Sequence, residues 1–80
     1  PTGTMQLAEV HVDPSWIGRR VSELAAAGGV RIAFLTRFGE GILPQADTVL
    51  QEGDLVHVIV PDKSLEAATA ALATAPEEQA

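Results

Sequence analysis

The chain has no cysteine and no tyrosine, a single methionine, and three aromatic residues, Trp16, Phe34 and Phe38. Without cysteine there is no disulfide, no thiolate nucleophile and no sulfur ligand for a metal, which fits a reducing compartment. With so few rings, a core must be built from Val, Leu, Ile and Ala. Cations are scarce, five Lys and Arg against eleven Asp and Glu, a net charge of −6. Duplex DNA and RNA are bound by neutralising phosphates with Lys and Arg, so a polymeric nucleic acid is excluded as the expected partner. A polybasic membrane anchor is excluded for the same reason. There is no signal-peptide pattern and no apolar run of about 18 residues, so direct membrane insertion is not expected.

What is present is a small globular chain. Eighty residues, 46% of them hydrophobic, make one domain. A domain this short buries only about 60–65% of its unfolded surface, and its sheet faces are hard to cover. A homodimer is the expected remedy. The chain starts at Pro1 rather than Met, which suggests processing or a piece of a longer protein.

The plainest local signal is Gly53-Asp54 followed by Leu55 to Val60. A glycine suits a turn that needs positive φ, aspartate suits its polar edge, and the apolar run bounded by Pro61 reads as a buried strand. Met5 to Val12 alternate as a first strand. Asp13-Pro14-Ser15 break it and open a helix whose face is Ile17, Val21 and Leu24, with Arg19, Arg20 and Glu23 outward, ended by Gly28-Gly29. Val30 to Arg37 form the next strand, with Ile32 and Phe34 on one face and Ala33, Leu35, Arg31 and Arg37 on the other. Phe38 to Gly41 turn into a short strand at Ile42-Leu43, stopped by Pro44. Thr48-Val49-Leu50 are extended. Pro61 to Ser64 restart a helix with Leu65, Ala68, Leu72 and Thr69 inward. The expected fold is α+β, two-layer, with a small mixed sheet of about four strands and two helices in the order β-α-β-β-β-α. Its domain spans 5–75, with flexible termini at 1–4 and 76–80.

No catalytic constellation assembles, so an enzyme is not expected. His11 and His57 come near each other only if the first and last strands pair, and each reads more simply as a half-exposed strand histidine. A zinc site from the two with a carboxylate lacks ligand spacing. Gly28-Gly29 and Gly39-Glu40-Gly41 fit no phosphate-binding frame and are accounted for by a helix end and a hairpin turn. Trp16 reads as a lid over the core rather than a ligand platform. Arg31 and Arg37 share a face at even spacing, about 20 Å apart when extended. They guard a strand edge or, paired across a dimer axis, hold a diphosphate ligand.

Taken in succession, Ile17 to Leu24, Gly29 to Gly39 and Leu43 to Val56 resemble the TrkA-C (RCK-C) domain family. The pattern matched is a G-x-x-(V/L)-x-E-L helix, an apolar strand ending R-x-G, a proline, and then D-T-x-L-x-x-G-D-x-(L/V). The resemblance covers about Val10 to Val60. It implies a cytoplasmic, non-enzymatic regulatory domain of a Trk- or Ktr-like potassium-transport subunit or a cation/proton antiporter. Such a domain dimerises, follows a Rossmann-type RCK-N domain, and sits at the inner face of the membrane through its transporter or channel partner. NAD or ATP would belong to RCK-N, so no cofactor is expected on this chain. Cyclic di-AMP at a dimer cleft is the implied ligand. Ile42 and Pro44 match the apolar support for its bases, Leu43 lies between them, and Arg31 and Arg37 are the cations available for phosphate. Glu40 beside that position opposes a phosphate. Two other readings stand beside this one, a dimerisation module without ligand and a metal or pH sensor using His11 and His57.

Overall fold

A computed structural model of the chain describes residues 4–76. Strand β1 (Met5–Val10) leads through a 3-10 turn at Pro14–Trp16 to helix α1 (Val21–Gly28). Strands β2 (Arg31–Arg37) and β3 (Glu40–Ile42) form a hairpin, and a long loop returns to β4 (Leu55–Pro61). A second 3-10 turn, Asp62–Ser64, opens α2 (Leu65–Leu72). The sheet order is β1-β4-β2-β3, and every pairing is antiparallel. Thus the α+β order β-α-β-β-β-α holds, in two layers with both helices on one face.

The β4 strand shows why one face is covered. Val56, Val58 and Val60 are buried among Leu24, Leu35, Ala68 and Leu72, while Leu55, His57 and Ile59 alternate to the other side. The apolar run is therefore a strand with one buried face, not a strand buried on both. On the open face the register brings Leu7 beside Ile59, and Phe34 beside His57. The turn before β4 is as expected, with Gly53 at φ +89° and the Asp54 N–H donating to the Gln51 carbonyl at 3.1 Å.

The first helix starts later than its apolar spacing predicts. Ile17 lies outside it and is exposed, because Gly18 at φ +93° turns the chain away from helical geometry. Residues 17 to 19 turn instead, and Arg20 bridges antiparallel to Val49 in the loop before β4. Gly18 N–H donates to Leu50 O at 2.8 Å, Leu50 N–H to Arg19 O at 2.9 Å, and Val21 N–H to Thr48 O at 2.8 Å. That ladder is the true place of the Thr48-Val49-Leu50 strand, and it seats Leu50 in the core. Glu23 accepts from the Arg20 N–H at 3.3 Å and pairs with Arg19 at 2.8 Å, holding the first turn of α1. In α2, Ala68 and Leu72 point inward as expected, but Thr69 is exposed.

Trp16 is a lid over the core. It is buried, and its indole N–H donates to the Thr74 carbonyl at 2.8 Å. The Asp13 N–H donates to the Leu72 carbonyl at 2.9 Å, so the segment before α1 is tied to the end of α2. Trp16→Phe is expected to lose the indole bond and part of the packing. It leaves the Thr74 carbonyl without its partner, for a destabilisation of about 1–2 kcal/mol by urea titration with circular dichroism. Of the termini expected to be flexible, 1–3 and 77–80 lie outside the described residues. Thr4 hydrogen-bonds Asp62 through both its carbonyl and its hydroxyl, and Pro76 is buried.

Candidate functional site

The β2 strand carries a bulge between Ile32 and Phe34. One inserted residue reverses which face the following side chains take. Ile32 therefore pairs with Val58 on the helix face, whereas Phe34 pairs with His57 on the open face. The same slip separates the two arginines. Arg31 stands opposite Ile59, on the open-face side, and Arg37 follows Leu35 on the other. They do not share a face, as even spacing alone predicts.

Arg37 is already engaged. Its Nε donates to Asp54 Oδ1 at 2.8 Å and its Nη2 to Oδ2 at 2.7 Å, in a bidentate pair. The Asp54 side chain has no exposed surface, and its Oδ2 also accepts from the Gln51 N–H at 2.9 Å. The Arg37 guanidinium, with the Gln51 N–H, holds the Asp54 carboxyl below the usual carboxylate range against the opposing effect of burial. Asp54 is thus turn chemistry and a cross-link between β2 and the β4 turn, as its place after Gly53 suggests.

Arg31 is exposed, and its side chain makes no hydrogen bond or ion pair among the described residues. It stands at the rim of an open groove of about 320 Å³. Val21 and Ala25 of α1, Val30, Ile32 and Pro44 give the groove apolar walls, and Ser22 and Gln45 add a hydroxyl and an amide. The groove exists because β3 pairs only with Leu35 to Arg37 and leaves the start of β2 without a neighbour on that edge. Of the five residues singled out from the sequence, Arg31 and Pro44 meet here. Ile42 packs against the core, Leu43 is 74% exposed, and Arg37 lies at the far end of β2. Val21, Ser22, Ala25, Val30, Ile32 and Gln45 were missed. The small Ala25 one turn after Val21 is the only local hint, and it means nothing until Pro44 is known to stand opposite.

His57 stacks on Phe34 with ring centroids 4.2 Å apart, and its Nε2 is 3.0 Å from Thr36 Oγ1. Its cross-strand neighbour is Glu9, and His11 lies beyond the end of β1. A hydroxyl beside an imidazole is the beginning of a nucleophile and base. No carboxylate hydrogen-bonds that ring among the described residues. No group of three His, Cys, Asp or Glu side chains there is placed to hold a metal.

A four-stranded antiparallel sheet covered on one face by two helices, with a groove at its broken edge and one cation on the rim, is a small two-layer α+β domain. The family model for the TrkA-C domain matches residues 5–73. The chain belongs to the TrkA-C domain family. It is similar to the Trk system potassium uptake protein TrkA of Streptomyces coelicolor (strain ATCC BAA-471 / A3(2) / M145), with 54% identity over 79 residues, 99% of this chain and 35% of that protein. The chain therefore spans about a third of that relative's length. Among solved structures it is similar to the GsuK RCK domain at 30% identity and a TM-score of 0.71, covering 94% of this chain and 17% of that one. The GsuK channel gives 30% and 0.70, over 95% and 14%. The GsuK channel bound to NAD gives 29% and 0.69, over 94% and 14%. No helix among the described residues is long and apolar enough to cross a membrane.

Proposed function

We propose that the chain is a regulatory, non-enzymatic sensing and dimerisation domain of a potassium-transport protein. It works in the cytoplasm beside an RCK-N domain and a membrane transporter or channel subunit. The observation that carries the sensing role is the groove at the unpaired start of β2, apolar on its walls and edged by Arg31. Such a site suits a ligand with flat apolar rings and a phosphate. Two copies related by a two-fold axis supply two Arg31, matching a cyclic dinucleotide with two phosphates, of which cyclic di-AMP is our candidate. Arg37, engaged by Asp54, is not needed for this. The ligand acts by population shift, preferring one dimer geometry and so biasing the attached transport machinery.

The test is a thermal-shift series with cyclic di-AMP, cyclic di-GMP and adenine nucleotides. A ligand at 100 times its Kd is expected to add about 2.7 kcal/mol of stability, and Arg31→Glu to abolish that gain without unfolding the chain. A folded dimer whose melting no cyclic dinucleotide or adenine nucleotide moves would sink the ligand-sensing role and leave a dimerisation module.

A further inference from the structure

The β2–β3 hairpin turns through two residues, Phe38 at φ +52° and Gly39 at φ +79°, between the paired Arg37 and Glu40. A two-residue loop with both φ values positive is a type I′ turn, whose first central position suits Asn, Asp or Gly. A bulky side chain is strained there. Phe38 is the only non-glycine residue with positive φ among the described residues, and it is 92% exposed. An exposed aromatic held at a strained position has the character of an anchor for a second surface.

We propose that Phe38 is the anchor of self-association and seats in the groove of a second copy, between that copy's α1 and the open edge of its β2. The proposal rests on the homodimer put forward above and assigns the contact of its ligand-free form. In that form the two Arg31 stand about 20 Å apart and come together only when a ligand shifts the geometry. The groove is apolar where a ring would lie, along Val21, Ala25, Ile32 and Pro44, and its volume is about 320 Å³. A dry apolar cavity of about 150 Å³ already accepts benzene. Phe38 cannot fill the groove of its own chain, because β2 separates the two by about 20 Å at 3.3 Å per residue. Two copies set antiparallel along the β2 edge bring each hairpin tip to the other's groove. A two-fold axis makes the contact twice. Charge agrees with this arrangement. Glu40, two residues beyond Phe38, is exposed and without an ion pair among the described residues, and so is Arg31 at the groove rim. Glu40 of each copy meets Arg31 of the other. In the ligand-free dimer the partner's Phe38 holds the groove that a ligand enters by displacing it, which couples binding to dimer geometry.

Sedimentation equilibrium of the 80-residue chain without ligand tests this. Phe38→Asn puts in the residue the turn prefers, so the fold is expected to be as stable as before or more so in urea. Its dimer Kd is expected to rise at least tenfold. Glu40→Lys is expected to weaken association, and Glu40→Lys with Arg31→Glu to restore it, which gives a result even if Phe38→Asn were to unfold. A Phe38→Asn chain that folds and associates as tightly as the wild type overturns the anchor while the homodimer stands. A charge pair that shows no rescue overturns the Arg31–Glu40 contact. A wild type monomeric at every concentration overturns both the anchor and the homodimer.

Discussion

Leu72→Ala is expected to bring this domain to the edge of unfolding. Leu72 is fully buried at the end of α2, against Gly28 at the end of α1, where even one added carbon would approach its Cγ to 3.2 Å. The fit is so close that the two helix ends have little freedom to collapse into a void. Deleting a buried leucine from such a site costs about 3–5 kcal/mol, from lost transfer energy and the residual cavity. An 80-residue domain has a total stability of about 4–12 kcal/mol at 0.05–0.15 kcal/mol per residue. The core here has few members to share the loss, chiefly Leu24, Leu35, Leu50, Leu72 and the β4 valines. Urea unfolding followed by the fluorescence of the buried Trp16 reads the effect directly. Leu72→Met, which nearly conserves volume, is expected to lose less than about 1.5 kcal/mol. Leu43→Ala, on an exposed side chain, is expected to stay within about 0.5 kcal/mol of wild type. Equal losses for Leu72→Ala and Leu43→Ala would show that the helix layer does not pack as described.

Asp54→Ala is expected to be the most damaging polar substitution. It removes a bidentate acceptor from Arg37 and the acceptor of the Gln51 N–H, and it leaves the inner part of the Arg37 guanidinium without its counter-charge. Arg37 retains contact with water and with the Val49 carbonyl at 3.3 Å, so the loss is set at about 2–3 kcal/mol, below that of a fully enclosed pair. Acid should act through the same carboxylate. Asp54 binds its proton less readily folded than unfolded, where a carboxyl of this type titrates near pH 3.9. The folded state therefore holds fewer protons in this range. The stability it contributes is present above about pH 4 and is lost as pH falls through its lower folded value. Glu23, held down by Arg19 and the Arg20 N–H, and Asp13, held down by the Ser15 hydroxyl and N–H, act in the same direction. Asp54→Asn should be less stable at pH 7 and show a flatter fall below pH 4, measured as urea midpoints between pH 7 and 2. An acid limb as steep as that of the wild type would remove Asp54 from this role.

Much of the fold was legible residue by residue. Gly53-Asp54, the β-branched run after it, and the glycine pair closing α1 are local statements, decided by which dihedral angles a residue tolerates. The ordered succession of such statements also carries the family. Less was legible where the chain meets itself. Ile17 has the right spacing for α1, yet Gly18 turns the chain and three backbone hydrogen bonds to residues 48 and 50 keep its segment out of the helix. Arg31 and Arg37 have the spacing of one face, yet a bulge between them sends them to opposite ones.

The sequence by itself determined the order of strands and helices, the Gly53 turn and the family, because each depends on local preference and hydrophobic period. Only the tertiary structure decided which of the two arginines is available. That choice rests on Asp54, seventeen residues beyond Arg37, capturing one of them. It likewise made a groove from Val21 and Ala25, Val30 to Ile32, and Pro44 and Gln45, three stretches with no common motif. A side chain's company is set by packing and strand register, and neither is written in the residues next to it.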